Sequence, residues 1–184
     1  LHYTAMRSLN KTIKLLCDHK SKVSSHYLVS KMGKIYQMVD EKNRAWHAGR
    51  GYWRGVKDIN SYSIGIELEN SGHHINFEAY SEVQTNQLIK LIKYIKKKHD
   101  ISNFGILGHS DVSYMRKIDP GEKFPWKKLS KLDIGKWYIG INSKTKINPK
   151  KMETLFFKNL KKIGFRYFSN NKRNQKNKMI VKAF

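Results

Sequence analysis

The sequence predicts an α/β domain with a single mixed central sheet flanked by helices, followed by a small C-terminal helical unit. Segments rich in β-forming residues alternate with amphipathic helices up to about residue 128, whereas only helical periodicity remains after residue 132. The charge changes at the same place, because residues 1–128 carry 22 basic and 12 acidic side chains and residues 129–184 carry 15 and 2. We therefore predict two units, residues 1–128 and residues 129–184.

The first half of the larger unit contains the end of a strand, a short helix, a hairpin and a loop. In chain order these segments are residues 1–5, 10–18, 26–39 and 43–57. Apolar residues of the helix recur every three or four positions, and Gly33 separates the two β-rich runs of the hairpin. The loop is rich in Gly, Arg and Trp.

The second half of this unit contains two strands and two helices. In chain order we predict a strand over residues 62–69, a helix over 81–98, a strand over 103–108 and a short helix over 124–131. The first helix has the strongest signal, since Ser81 and Gln84 form a capping-box pattern. Its apolar residues lie on one face: Val83, Leu88, Leu91, Ile92 and Ile95.

The C-terminal unit begins with a helix that opens at Asn148-Pro149 and ends at Gly164. Its apolar side is formed by Met152, Leu155, Phe156, Leu160 and Ile163. A further apolar run starts at Met179 and reaches the last residue, Phe184. We expect this unit to be incomplete at its C-terminus and the first strand to be truncated before Leu1.

Composition excludes several classes of protein. No apolar run approaches the roughly 18 residues of a membrane-spanning helix, and the single cysteine excludes an internal disulfide framework and a multi-cysteine metal site. The formal net charge of +23 suits an anionic partner, above all for the C-terminal unit. A solvated, lysine-rich surface explains the same charge, since 30 of the 37 basic residues are Lys.

Two histidines and a polar loop could form a metal site. His2 ends the first strand, His109 follows the predicted strand 103–108, and the next loop contains Asp111 and Asp119. A catalytic zinc needs three protein ligands and one open position, which two His and one carboxylate would supply. Spacing leaves the third ligand open: alternation along a strand favours Asp111, and Asp119 is the other candidate.

A zinc hydrolase also needs a carboxylate base and a cation for the developing oxyanion. Glu67 and Glu69 alternate along the strand 62–69 and therefore face the same side, so periodicity does not choose between them. Lys117, in the loop before Asp119, is the candidate cation.

Six segments in order carry a family resemblance over residues 1 to about 128. They are Leu1-His2-Tyr3-Thr4, Ser25-His26-Tyr27-Leu28-Val29, Arg44-Ala45-Trp46-His47-Ala48-Gly49, Ser63-Ile64-Gly65-Ile66-Glu67-Leu68-Glu69-Asn70, Gly108-His109-Ser110-Asp111 and Arg116-Lys117-Ile118-Asp119-Pro120-Gly121. Together they resemble the type 2 N-acetylmuramoyl-L-alanine amidases, zinc amidases related to the peptidoglycan recognition proteins. Within that family they are most similar to the bacterial AmpD and AmiD enzymes.

The resemblance implies a peptidoglycan-recognition-protein-like fold. It also implies hydrolysis of the amide between N-acetylmuramic acid, or its anhydro form, and L-alanine of the peptidoglycan stem peptide. The implied Zn²⁺ ligands are His2, His109 and Asp119. Glu67 matches the carboxylate that activates the zinc water, and Lys117 matches the cation that stabilises the oxyanion. Candidate substrate contacts are Tyr27, Trp46, His47, Arg50 and Arg54.

The C-terminal unit resembles the helical peptidoglycan-binding module of the AmiD group. The similarity rests on Phe156, Leu160, Gly164, Phe165 and Val181-Lys182-Ala183-Phe184.

The expected location is the bacterial cell envelope, periplasmic or secreted, with the cytoplasm as the alternative. Two other functions stay open from the sequence: a module that binds peptidoglycan without cleaving it, and a basic nucleic-acid-binding protein.

Overall fold

The computed structural model describes residues 1–137, 148–166 and 177–180, and it contains a four-stranded sheet with five helices over those ranges. The strands are β1 (His2–Tyr3), β2 (Tyr27–Val29), β3 (Ile35–Gln37) and β4 (Ile66–Leu68). The helices are α1 (Leu9–Cys17), α2 (Glu82–Lys98), α3 (His109–Ser113), α4 (Trp126–Ser130) and α5 (Pro149–Ile163). Short 3₁₀ turns lie at His19–Ser21, Ile59–Ser61 and Asn103–Gly105.

The sheet is mixed, which confirms the predicted fold class. Its strand order is β1-β4-β2-β3, with β4 parallel to both β1 and β2, and β3 antiparallel to β2. The register places His2, Glu67 and Leu28 side by side across the three parallel strands. Since neighbouring residues in register share a face of the sheet, His2 and Glu67 lie on the same side.

The opposite face of the sheet packs against α2 and forms the main core. Ile66 and Leu68 flank Glu67 on β4, and both are buried in this core. The Ser81 hydroxyl caps the first turn of α2 by accepting the Gln84 backbone N–H, which is one half of the predicted capping box. The Gln84 amide donates to the carbonyl oxygens of Val29 and Glu69, at 3.0 and 3.1 Å, and so ties the helix to the ends of β2 and β4.

Two local predictions differ from the structure. Val83 is 54% exposed, because it lies in the first turn of α2 and off the face that meets the sheet. The predicted strand 103–108 is wrong: the segment begins with the 3₁₀ turn. Beside its end, the Leu1 nitrogen donates to the Leu107 carbonyl at 2.7 Å and the His109 nitrogen donates to the Leu1 carbonyl at 3.0 Å. Two such bonds align the chain without making a strand.

The helix predicted after Asn148-Pro149 is confirmed as α5, which ends before Gly164 at φ +138°. Of its predicted apolar side, Leu160 is buried in a cluster with Tyr114, and Phe156 and Ile163 are partly buried against that cluster. The cluster also contains Phe157, Phe165 and Ile180. Met152 and Leu155 of the predicted apolar side are 51% and 49% exposed. Residues 177–180 are helical, and the remainder of the last apolar run, 181–184, lies outside the described residues. None of the helices in the described part of the chain has the length and apolar character to cross a bilayer.

The packing of α2 on the sheet predicts that Leu88→Ala will lower the free energy of unfolding by about 2–5 kcal/mol. Leu88 is 1% exposed in the core, and truncation there removes buried apolar surface and leaves a cavity. Urea unfolding at fixed pH measures the change. The matched control is Val83→Ala in the same helix, which we expect to alter stability by no more than about 0.5 kcal/mol; equal losses in the two variants would contradict this packing.

Candidate metal centre

Three buried side chains that stand far apart in the sequence meet beside the sheet. The Nδ1 atoms of His2 and His109 lie 2.9 Å apart, and Asp119 Oδ2 lies 3.1 Å from the first and 3.0 Å from the second. Among the described residues this is the only group of three or more potential metal ligands. The three ligand atoms therefore converge on one small volume.

Backbone hydrogen bonds join the three short segments that carry these side chains. His2 is held in β1 by its pairing with β4. The His109 nitrogen donates to the Leu1 carbonyl, and the Ser110 nitrogen donates to the Asp119 carbonyl at 2.9 Å. The segment of each ligand is therefore hydrogen-bonded to the segment of another ligand. These bonds limit how far the three side chains can move apart.

The structure does not bring Asp111 into the cluster. His109 opens the helix α3 and is not part of a strand, so the alternation that favoured Asp111 as a ligand does not apply. The Oδ2 atom of Asp111 instead accepts the Gly108 backbone N–H at 2.7 Å, in a capping arrangement at the start of α3. Burial raises the pKa of the Asp111 carboxyl to about 6.

Electrostatics favour the protonation states that bind a cation. Burial lowers the pKa of the His2 imidazole well below its usual value. Burial alone would raise the pKa of Asp119, but the adjacent imidazoles of His109 and His2 outweigh that effect and bring it below its usual range. A neutral imidazole and an ionised carboxylate are the forms that coordinate metals.

The donor set fits a zinc ion. His109 Nε2 lies 2.8 Å from the Ala48 carbonyl oxygen, which can only accept, so Nε2 is the donor and the neutral ring has its lone pair on Nδ1. Two imidazole nitrogens and one carboxylate oxygen are a ligand set that zinc uses in catalytic sites, with a further position open. The cluster is buried but borders a cavity lined by both histidines.

Glu67 lies on the same face of the sheet as His2, and its Oε2 atom is buried without a hydrogen-bond partner among the described residues. Burial raises the pKa of this carboxyl to about 8, and the negative charge of Asp119 acts in the same direction. The positive charge of Lys117 acts in the opposite direction on this pKa. The charges of Asp119 and Lys117 therefore both bear on the protonation of Glu67.

The carboxylate of Glu69, the other candidate base, is engaged elsewhere. Glu69 Oε2 accepts the backbone N–H of Lys31 at 2.8 Å, beyond the end of β2. Alternation made the two glutamates equivalent, but Glu69 follows the last residue of β4, so its side chain is free to turn towards the loop after β2.

Of the candidate substrate contacts, Trp46 and Arg50 are exposed, whereas Tyr27 and Arg54 contact other side chains. Trp46 is 53% exposed, and the side chain of Arg50 is exposed in the same loop. Tyr27 lies in the core against α2, on the face of the sheet opposite His2, and its hydroxyl donates to Glu41 at 2.5 Å. The Arg54 guanidinium lies over the Phe104 ring, 5.2 Å from its centroid.

His47 contacts the cluster from outside. Its Nδ1 atom lies 3.0 Å from His2 Nε2, on the side of the His2 ring that faces away from the other two ligands. Burial lowers the pKa of the His47 imidazole to about 3. The ring is therefore neutral at physiological pH.

Two further polar residues support this region and were not identified from the sequence as site residues. The Arg116 guanidinium donates from Nη2 to the carbonyl oxygens of Ala48 and Arg50, each at 2.8 Å. Asn60 Oδ1 accepts two backbone N–H groups of the loop that carries His47. The sequence around Arg116 and Asn60 gave no indication of these roles, because their partners are backbone atoms far away in the sequence.

Comparison with known proteins agrees with this geometry. The family model described as N-acetylmuramoyl-L-alanine amidase matches residues 1–122. The N-acetylmuramoyl-L-alanine amidase AmiD of Escherichia coli K12 is 40% identical over 149 residues, which are 74% of this chain and 53% of that protein. The 1,6-anhydro-N-acetylmuramyl-L-alanine amidase AmpD of Haemophilus influenzae is 39% identical over 111 residues, which are 60% of this chain and 58% of that protein.

The chain thus spans between half and three-fifths of the length of these two relatives. Among solved structures, AmiD of Escherichia coli superposes with a TM-score of 0.83 at 31% identity, covering 100% of this chain and 76% of that one. That structure is a complex of AmiD with the substrate anhydro-N-acetylmuramic acid-L-Ala-D-γ-Glu-L-Lys.

The raised pKa of Glu67 predicts a pH-dependent difference between the metal-free wild-type protein and Glu67→Gln. Between about pH 4.5 and pH 8 the folded protein holds a proton on Glu67 that the unfolded chain has lost, so the stability of the wild type falls as the pH rises. Glutamine does not titrate. The stability of Glu67→Gln relative to the wild type should therefore increase from pH 5 to pH 8, by up to about 1.4 kcal/mol per pH unit.

Urea unfolding of both proteins in a chelator at several pH values measures this difference. Subtracting the two curves removes the titration of the ligand cluster, which both proteins share. Parallel curves would show that Glu67 titrates normally and would contradict its burial.

Proposed function

The chain belongs to the N-acetylmuramoyl-L-alanine amidase family, and on that premise we propose that it is a zinc-dependent amidase of peptidoglycan. The proposed reaction is hydrolysis of the amide between N-acetylmuramic acid, or its anhydro form, and L-alanine of the stem peptide. Residues 1–128 form the proposed catalytic unit. The observation that carries the proposal is the convergence of His2, His109 and Asp119 within 3.1 Å, with the carboxyl of Glu67 on the same face of the sheet.

His2, His109 and Asp119 are the proposed zinc ligands. A zinc ion bound there would supply Lewis acidity, which polarises a carbonyl group and lowers the pKa of water to about 7. The protein contributes a buried, aligned ligand set whose backbone segments are bonded to one another. Alignment of this kind avoids reorganisation during the reaction.

Glu67 is the proposed general base, and Lys117 is the proposed stabiliser of the oxyanion. The unpartnered Oε2 atom of Glu67 is free to accept the proton of the attacking water and to pass it to the leaving amine. A base is most effective when its pKa lies near the working pH, and the pKa of about 8 comes close to that condition. The Lys117 ammonium, whose positive charge lowers the pKa of Glu67, is suited to stabilise negative charge on the amide oxygen.

The proposed substrate is a muramyl peptide, intact or in the anhydro form bound by the solved structure of AmiD. Trp46 and Arg50 are the proposed substrate contacts. Both side chains are exposed in the loop that carries His47, and a guanidinium suits the carboxylates of a stem peptide. Tyr27, His47 and Arg54 are omitted from the proposed substrate contacts, because their side chains contact Glu41, His2 and Phe104 respectively.

Residues 129–184 form the proposed accessory unit, which contacts anionic cell-wall polymer through its net charge of 15 − 2 = +13. A location in the bacterial cell envelope, periplasmic or secreted, is part of this proposal, since intact wall lies outside the cytoplasmic membrane. Hydrolysis of recycled anhydro-muropeptides in the cytoplasm is the alternative.

Glu67→Gln should keep zinc affinity and lose turnover by roughly 10²–10⁴-fold, because the amide isostere cannot accept a proton. Release of stem peptide from a muramyl peptide measures turnover, and competition with a chelating dye measures zinc affinity. Glu69→Gln is the matched control, since this neighbouring carboxylate bonds the Lys31 backbone, and its turnover should stay close to wild type. Full activity in Glu67→Gln would refute the proposed mechanism.

Metal removal should abolish release of stem peptide, and added zinc should restore it. The reason is that His2, His109 and Asp119 are proposed to act only by holding the metal. Without it, the site lacks the Lewis acid that would polarise the carbonyl group and lower the pKa of water. A chelator already saturated with zinc controls for effects of the chelator itself. If the zinc-loaded protein binds muramyl peptide without releasing stem peptide, the chain is a binding module and the proposed enzymatic activity is wrong.

A further inference from the structure

Both histidines of the ligand cluster make their outer hydrogen bonds to the same short piece of chain, residues 47 and 48. His2 Nε2 lies 3.0 Å from Nδ1 of His47, and His109 Nε2 lies 2.8 Å from the Ala48 carbonyl oxygen. Each ring therefore presents Nδ1 to the cluster and Nε2 to this piece of chain. The orientation of both rings depends on where residues 47 and 48 lie.

The donor and the acceptor in each hydrogen bond around His47 follow from the Ser63 hydroxyl, which lies at the end of the chain of bonds farthest from the ligand cluster. The Ser63 hydroxyl lies 2.5 Å from the Ile59 carbonyl oxygen, which can only accept, so Ser63 donates to it. The same hydroxyl lies 3.3 Å from His47 Nε2 and has no second proton, so His47 donates from Nε2. The Nδ1 atom of neutral His47 is then an acceptor.

It follows that His2 donates its Nε2 proton to His47. A neutral imidazole has one ring proton, so His2 Nδ1 holds a lone pair directed at the cluster. The Ala48 carbonyl imposes the same tautomer on His109. The chain Ile59–Ser63–His47–His2 thus selects the form of His2 that can bind a metal through Nδ1.

Two features hold the piece of chain in place. Asn60 Oδ1 accepts the backbone N–H groups of His47 and Ala48, at 3.1 and 2.8 Å. Gly65 leaves room for the His47 ring, since a Cβ at that position would lie 2.4 Å from Cγ of His47. A methyl group there would displace the ring, so the glycine is required by the position of His47.

We infer that His47 and Asn60 are positioning residues of the metal centre, and that His47 acts by fixing the tautomer and orientation of His2. Neither residue ligates the metal in this arrangement. Outer hydrogen-bond partners of this kind orient metal-binding histidines, and their loss weakens metal binding by roughly 10–100-fold. The inference rests on the proposed function only in taking the cluster as a zinc site.

The test compares His47→Asn with His47→Leu. Asparagine places a carbonyl oxygen one bond from Cγ, as Nδ1 is in histidine, so it keeps an acceptor for His2. Leucine has nearly the same size and shape and no acceptor. We expect His47→Leu to bind zinc roughly 10–100-fold more weakly than the wild type and His47→Asn to recover most of that loss.

Zinc affinity, measured by competition with a chelating dye, is the readout, so the result does not depend on amidase activity. His19→Leu, which replaces an exposed histidine outside the cluster, is the control and should bind zinc as the wild type does. Wild-type affinity in His47→Leu, or equal losses in the leucine and asparagine variants, would overturn the inference. If the wild type binds zinc and shows this pattern but cleaves no muramyl peptide, the proposed function fails and the positioning role stands.

A measurement on the zinc-loaded wild type covers the case in which a His47 variant does not fold. Long-range ¹H–¹⁵N correlation spectra report which ring nitrogen of each histidine carries the proton. We expect the Nε2–H tautomer in both His2 and His47. An Nδ1–H tautomer in either ring would overturn the inference.

The role of Asn60 is tested separately with Asn60→Ala and Asn60→Asp. Alanine removes the acceptor for the two backbone N–H groups, whereas aspartate retains an oxygen at the same position. Weaker zinc binding in Asn60→Ala with recovery in Asn60→Asp is the expected result, and unchanged binding in Asn60→Ala would show that the loop holds its position without Asn60.

Discussion

The constraint on which this structure depends is the convergence of three metal-ligand atoms that repel one another. Two imidazole nitrogens with lone pairs and one carboxylate oxygen lie about 3 Å apart in a buried site. In the absence of a cation such an arrangement is unfavourable, because burial removes the water that would solvate these groups. The rest of the fold supplies the restraint: the pairing of β1 with β4, the bonds of His109 and Ser110 to the other two ligand segments, and the contacts outside the rings.

The two faces of the sheet have different roles: one face forms the core of the domain, and the other carries the proposed active site. On β4, Ile66 and Leu68 pack against α2 and stabilise the domain, whereas Glu67 between them points towards the ligand cluster. The same three residues therefore contribute to the core and to the proposed chemistry. The burial that stabilises the strand also raises the pKa of Glu67 to about 8, so the property that suits a base follows from its position in the sheet.

Much of the fold could be predicted from the sequence, because its signals are local. The capping pattern at Ser81 and the apolar period predict α2, and the two β-rich runs around Gly33 predict the hairpin of β2 and β3. The predicted strand 103–108 is wrong because the apolar run that suggested it packs beside Leu1 and makes only two backbone bonds there. Whether an apolar run becomes a strand depends on what lies next to it in space.

The sequence by itself determined the residue types from which the site is built: two histidines, several carboxylates and a lysine, in segments that resemble one amidase family. Spacing did not choose between Asp111 and Asp119, or between Glu67 and Glu69. The tertiary structure distinguishes them, since Asp111 caps α3 and Glu69 bonds the Lys31 backbone. The roles of Asn60 and Ser63 also appear only in three dimensions. Their partners are backbone groups and a ring brought near by folding, and hydrogen bonds with such partners leave no periodic or local pattern in a sequence.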